Sequence, residues 1–216
     1  MLELARKCQI PILQASTSEV YGNATRHPQD EGYTGNVNTV GPRACYNEGK
    51  RCAETLCLEY HRQFGINVKV ARIFNTYGPR MQANDGRAVP KFMSAALENR
   101  DITIHGDGRQ TRSFCYVDDM VEGLIRMLNG PGDFTGPVNF GNPNEITIYD
   151  LATTIRGMTK SRSKITYGPQ RSDDPIRRRP DISLAEELLG WTPKISIVEG
   201  LTRTLKNTPW SIAPGR

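Results

Sequence analysis

Residues 44–74, ACYNEGKRCAETLCLEYHRQFGINVKVARIF, carry the clearest architectural signal in this chain. Pro42 opens the stretch as a helix and Gly65 closes it, and the apolar run from Asn67 to Phe74 follows as a buried strand. Upstream, IPILQAS (Ile10 to Ser16) reads as another short buried strand, preceded by the last turns of a helix over residues 1–8. A polar loop rich in Gly, Asn and Thr, from about Gly22 to Gly41, joins that strand to the helix. Strands alternating with helices predict an α/β protein with a parallel sheet.

The alternation continues. VPKFMSAALEN predicts a helix and DITIHG a strand, with GDG as a tight turn. RSFCYV reads as one strand feeding the helix DDMVEGLIRMLNG, and GPVNFGN as a further strand. Thr147 and Asp150 give a T-x-x-D cap to the helix IYDLATTIRGM, and Ser183 and Glu186 an S-x-x-E cap to LAEELLG. No G-x-G-x-x-G or G-x-x-G-x-x-G follows any strand. A dinucleotide-binding unit needs such a turn so that backbone can approach the pyrophosphate.

Composition narrows the class. The chain has 216 residues, 37% of them hydrophobic, and a formal charge of +5, which suits a soluble protein with a core and an acidic ligand. The basic residues form no long tract with interleaved aromatics, so nucleic acid is not expected as a partner. No apolar run reaches the roughly 20 residues that span a membrane, and the N-terminus lacks a signal-peptide layout. The five cysteines show no CxxC pair, and the three histidines lie far apart. Reduced thiols in a cytoplasmic protein, and no metal site, are the expectation.

On a helix, Tyr46 and Lys50 share a face. A lysine ammonium near a phenol favours the phenolate, which would make Tyr46 a general base at neutral pH. A lone Y-x-x-x-K is common by chance, and a solvated surface pair is its plain alternative. Its context adds weight. ASTSEVYG ends a buried strand, placing Ser16, Thr17 and Glu19 at the carboxyl edge of a parallel sheet, where α/β folds bind ligands. Turn capping by Ser16 and Thr17, with a solvated Glu19, is the competing reading.

STSEVYG, CYNEGKR, ARIFNTYGPRM, NDGR, GDGRQTRSFCYVDD, NFGNP and DDPIRRRPDI…LGWTP follow one another along the chain. In that order they resemble the extended short-chain dehydrogenase/reductase family of NAD-dependent epimerases and dehydratases, most of all its UDP-glucuronate-decarboxylating branch. The resemblance runs from about residue 10 to 208. It implies a Rossmann-like parallel sheet whose N-terminal strands, with the glycine motif, are missing from this sequence, and a smaller α+β substrate domain. Residues 1–78 would be the rear part of the NAD-binding domain and 79–216 the sugar-nucleotide domain, with a segment near 113–140 returning to the sheet. The strand at Ile10 would then be a sheet edge.

The chemistry implied is NAD-dependent decarboxylation of UDP-glucuronate to UDP-xylose through a UDP-4-keto sugar. By this resemblance Tyr46 takes the C4 hydroxyl proton, Lys50 assists it and holds the nicotinamide ribose, and Thr17 orients the substrate. Glu19 works near C5, and Ser16 and Asn75 join Tyr46 and Lys50 on the cofactor side. Asn75, Arg87, His105 and Arg112 would meet the substrate, His105 in place of the usual aromatic beside the uracil. Arg178 would stand near the reacting sugar, with Arg177 and Arg179 solvated. Related dehydratases carry an aspartate between the Thr17 and Glu19 positions as the acid that expels the C6 hydroxyl, whereas this chain has Ser18. Thr34, Ala44 and Asn47 depart from the usual tryptophan, serine and aspartate.

Two rivals remain at this stage. One is another NAD-dependent sugar-nucleotide dehydratase or epimerase. The other is a truncated, non-catalytic module that binds UDP-sugars. The family homodimer packs partly through the Tyr–Lys helix and the helix before STSEVYG, and with only the end of the latter present that dimer is not expected to carry over unchanged.

Overall fold

The computed structural model describes residues 1–83, 85–170 and 177–208. In chain order the elements are α1 (Leu2–Cys8), β1 (Ile12–Thr17), a 3-10 turn (Ser18–Tyr21), α2 (Ala44–Phe64), β2 (Val68–Ile73) and β3 (Thr76–Tyr77). There follow α3 (Ala88–Leu97), β4 (Ile102–His105), β5 (Thr111–Ser113), β6 (Cys115–Tyr116), α4 (Val117–Leu128) and β7 (Val138–Phe140). The rest are β8 (Glu145–Thr147), α5 (Ile148–Met158), β9 (Ile165–Gly168), β10 (Arg177–Arg178), α6 (Ser183–Leu189) and α7 (Ile197–Asn207). The DDP that opens the DDPIRRRPDI motif, Asp173 to Pro175, lies outside the described residues.

The main sheet has the order β1-β2-β7, all parallel, as the alternation predicts. Thr17 pairs with Ile73 and Ile73 with Phe140, so the carboxyl ends of all three strands sit level. Among the described residues no strand lies beyond β1. Helix α2 crosses from β1 to β2 and ends at Gly65, whose φ of 64° is the left-handed cap that a glycine adopts without strain. Lys69, on β2, is fully enclosed and donates to the carbonyl oxygens of Pro131 and Phe134.

A second layer is built from β10-β5-β8, the parallel pair β4-β9, and helices α3, α5 and α7. Its core holds Met93, Ile102, Ile104, Leu151, Ile155 and Leu201. A separate core under the main sheet joins Val138 and Phe140 to Met120 and Met127 of α4 and to Trp191. Trp191 donates its Nε1–H to the Asp119 carbonyl at 2.9 Å, so the ring is buried without an orphaned donor.

Two local expectations need correction. RSFCYV is two short strands, not one: β5 pairs with β8 and β10, while β6 pairs with β3, and the chain changes sheets at Phe114. Ser183 lies inside α6 and caps nothing. Asp181 does that work, its Oδ1 accepting from Ser183 N at 2.9 Å and Ser183 Oγ at 2.6 Å. A carboxylate two residues ahead of a helix competes well for its free N–H groups. The Thr147 cap forms as expected, accepting from Asp150 N at 2.9 Å.

Candidate active site

A cavity of about 760 Å³ opens at the carboxyl edge of the main sheet. One wall comes from the end of β1, the 3-10 turn and the start of α2, and presents Ser16, Thr17, Glu19, Tyr46 and Lys50. The other comes from the loop after β2 and from α3, β4 and β5, and presents Asn75, Arg87, His105 and Arg112. The parallel register brings these groups together, because β1 and β2 end at the same level and α2 begins beside them.

Tyr46 is 45% exposed on the first turn of α2, and its phenol is open to the cavity. Lys50, one turn later, donates to the Ala15 carbonyl at 2.8 Å and lies 5.8 Å from the Tyr46 ring centroid. An ammonium has three donors, so this contact anchors the lysine and leaves others for a ligand. Thr17 accepts from Glu19 N at 3.2 Å, which fixes the turn after the strand. Ser16 is buried, and its hydroxyl meets the carboxylate of Glu54. Its proton is therefore directed into the protein and not into the cavity.

Arg178 is placed differently from the sequence expectation of a group beside the sugar. It is 4% exposed and stands behind Glu19, with NH1 at 2.5 Å from Glu19 Oε1 and at 3.3 Å from Ser18 Oγ, and NH2 at 3.1 Å from the Gly22 carbonyl. Gly22 has a φ of 60°, and a Cβ there would lie 2.0 Å from the Asn36 carbonyl oxygen, so only glycine permits this tight turn. Burial pulls the Arg178 guanidinium below its ordinary value, and the charge of Glu19 opposes that shift. Arg112 is its neighbour across β5 and β10.

Arg177 and Arg179 point the other way. Arg177 pairs with Glu145 at 2.5 Å, and Glu145 also accepts from Thr111 at 2.7 Å. The Arg177 guanidinium, and after it the Thr111 hydroxyl, holds the Glu145 carboxyl below its usual range. On the opposite wall, His105 sits between Lys91 Nζ and the Pro169 carbonyl, each at 3.2 Å from a ring nitrogen. A carbonyl only accepts, so Nδ1 carries the hydrogen and Nε2 faces the lysine as an acceptor. Arg87 is 69% exposed beside Asp85.

Sequence reasoning missed four participants. Lys91 lies four residues after Arg87, the helical spacing that could have found it. Arg43 lines the cavity at 3.5 Å from Glu19, just ahead of the Tyr46 turn. Glu54 continues the Tyr46–Lys50 spacing by one more turn, and Arg72 neutralises it with contacts of 3.0 and 2.8 Å. Arg72 has no local signal, because only sheet pairing brings it near.

A family model described as GDP-mannose 4,6 dehydratase matches residues 1–204. The chain belongs to that family. It is 54% identical to UDP-glucuronic acid decarboxylase 6 of Arabidopsis thaliana over 201 residues, covering 93% of this chain and 58% of that protein. It is 52% identical to UDP-glucuronic acid decarboxylase 1 of Danio rerio, covering 95% of this chain and 49% of the relative. The chain thus spans roughly half the length of the curated family members it matches. Among solved structures, the UDP-glucose 4-epimerase of Thermotoga maritima with UDP-glucose superposes with a TM-score of 0.88 at 27% identity, over 95% of this chain and 66% of that one. The UDP-glucuronic acid 4-epimerase of Bacillus cereus, in complex with UDP-glucuronic acid and NAD, gives 0.85 at 28%, over 95% and 64%. The fold is the Rossmann-like α/β architecture of these family members. No helix among the described residues is long and apolar enough to cross a membrane.

Proposed function

We propose that this chain carries the reacting half of a UDP-glucuronate decarboxylase, releasing CO2 and forming UDP-xylose. The observation that carries the reading is the turn after β1. Between Thr17 and Glu19 stands Ser18, whose hydroxyl lies against Arg178, and a hydroxyl is too weak an acid to expel a C6 hydroxyl. Loss of CO2 needs no such acid, only a carbonyl at C4, left once the C4 hydroxyl has given up its proton and hydride, to receive the electrons. The high identity to proteins named as decarboxylases supports the same choice.

In this reading Tyr46 takes the proton of the C4 hydroxyl, and Thr17 holds the same oxygen. Both then support the charge that gathers there as the C5–C6 bond breaks. Glu19 faces C5, kept in place by Arg178 behind it. Arg87 and Arg112 meet the diphosphate with charge-assisted contacts, Asn75 contacts it as well, and the His105 ring stacks on the uracil. The cavity volume falls within the ordinary range for ligand sites.

NAD, when bound, supplies the hydride acceptor and donor at C4. The donor set facing the cavity fits its nicotinamide side: the open Tyr46 phenol, the spare N–H groups of Lys50, and Asn75. Ser16 offers only its lone pairs, since its proton meets Glu54. We assign residues 1–78 to the nucleotide-binding part and 79–216 to the sugar-nucleotide part, with the segment near 113–140 returning to the sheet. Three exposed free thiols, Cys8, Cys45 and Cys52, suit a reducing, cytoplasmic setting.

The test is incubation with UDP-glucuronate and NAD, followed by proton NMR of the products. UDP-xylose is the expected product. UDP-galacturonate or a dehydrated keto sugar would move the chain to the epimerases or dehydratases, and UDP binding without turnover would make it a binding module.

A further inference from the structure

The Ser16–Glu54 contact is one end of a longer buried chain of hydrogen bonds. Arg72, from β2, grips both oxygens of Glu54 and extends NH1 to the Tyr21 hydroxyl at 3.0 Å. Tyr21 in turn donates to Asn139 Oδ1 at 2.7 Å. Asn139, on β7, donates through Nδ2 to the carbonyls of Gln29 at 3.0 Å and Asp181 at 3.1 Å. Gln29 clamps the segment after Arg178, giving its N–H to the Arg179 carbonyl at 2.8 Å and accepting from Arg179 N at 2.9 Å through Oε1. Ser16, Tyr21, Gln29, Glu54 and Asn139 are all at least nine-tenths buried.

The geometry points to Tyr21 as a positioning residue that couples the Tyr46–Lys50 helix to the Glu19–Arg178 pair through this chain, resting on the function proposed above. Tyr21 and Glu19 share one 3-10 turn, Glu19 facing the cavity and Tyr21 the interior. Each of its contacts has a fixed sense. Arg72 can only donate, so the Tyr21 oxygen accepts from it and the Tyr21 proton goes to Asn139. Burial, opposed by Arg72, pushes the Tyr21 hydroxyl up to about 12, so it stays protonated as this sense requires. The Arg72 guanidinium also lies over the Tyr21 ring, 4.9 Å from its centroid.

Buried chains of this kind transmit displacement because their members have little water to take as a substitute partner. Lys50 holds the Ala15 carbonyl and Glu54 the next hydroxyl, so α2 is pinned to the end of β1 at two successive residues. Loss of the Tyr21 hydroxyl leaves Arg72 NH1 with the longer contact to the Glu31 carbonyl, at 3.2 Å, and takes from Asn139 Oδ1 the proton that Tyr21 supplied. Both the Ser16 end and the Arg178 end should loosen together, although they lie on different strands.

The experiment is amide hydrogen exchange on the full chain and its Tyr21→Phe variant, with Ile155→Val as a control that trims the other core by one methyl. Coupling predicts exchange about tenfold faster in Tyr21→Phe at Ser16 and Thr17 and also at Arg179 and Asp181. The control should change neither group. Faster exchange at one end only, or at neither, overturns the inference, as does the same pattern in Ile155→Val. If Tyr21→Phe fails to fold, Ser16→Ala repeats the test from the far end. In turnover of UDP-glucuronate, Tyr21→Phe should lower kcat about tenfold with KM unchanged within about twofold. A wild-type chain without turnover would sink the proposed function, and the exchange pattern would still decide the coupling.

Discussion

Arg178 and Arg87 belong to one proposed site but live in opposite surroundings. Arg178 is 4% exposed, with Glu19, Ser18 and the Gly22 carbonyl around its guanidinium. Arg87 is 69% exposed and leans on Asp85 at 3.4 Å. The first belongs to a wall whose polar groups are braced from behind by buried partners. The second belongs to the opposite wall, where Arg112 is buried and Arg87 alone of the two arginines waits in solvent. The contrast separates two tasks: holding reacting groups to fractions of an ångström, and attracting a diphosphate that brings its own charge.

The largest effect should come from Tyr46. Tyr46→Phe is expected to lower kcat about a thousandfold while leaving UDP binding by calorimetry within about twofold. Retained activity would remove the braced wall from the chemistry altogether. Next come the two arginines themselves. Arg178→Ala strips Glu19 of its main partner and should cost about 3 kcal/mol in urea unfolding. Arg87→Ala should cost less than about 0.5 kcal/mol, yet weaken UDP binding about tenfold in low salt. Equal stability losses would erase the distinction between the walls.

A smaller effect sharpens it. Glu31 is lifted above its usual range mainly by burial, while its Oε1 accepts from Asn139 N at 2.7 Å. A raised carboxyl favours the native state at low pH, and that advantage fades as pH rises through the raised value. Glu31→Gln keeps an acceptor and removes the charge. It should therefore be the more stable protein at neutral pH in thermal melts, with the gap closing below about pH 4.5.

Much of the frame was legible in the sequence because its signals are local. Gly65 ends α2, Thr147 caps α5, and the two apolar runs around α2 became neighbouring parallel strands. The failures share a cause of the opposite kind. RSFCYV has the composition of one strand, but β5 and β6 answer to different sheets, and no local pattern encodes that change. Asp181 outcompeted Ser183 as a cap through a geometry that the S-x-x-E pattern hides. Arg178 could be singled out by register, whereas its burial behind Glu19 depends on a contact 159 residues back along the chain. Glu54 lies on a readable helical spacing, but its partner Arg72 arrives through the sheet.

Lys69 offers a last consequence. Its ammonium is sealed under the carbonyls of Pro131 and Phe134, and burial lowers its affinity for the proton. Amine-reactive reagents should acylate the surface lysines within minutes and leave this one untouched until the sheet opens. Its modification, read by mass spectrometry, would then act as an internal clock for unfolding.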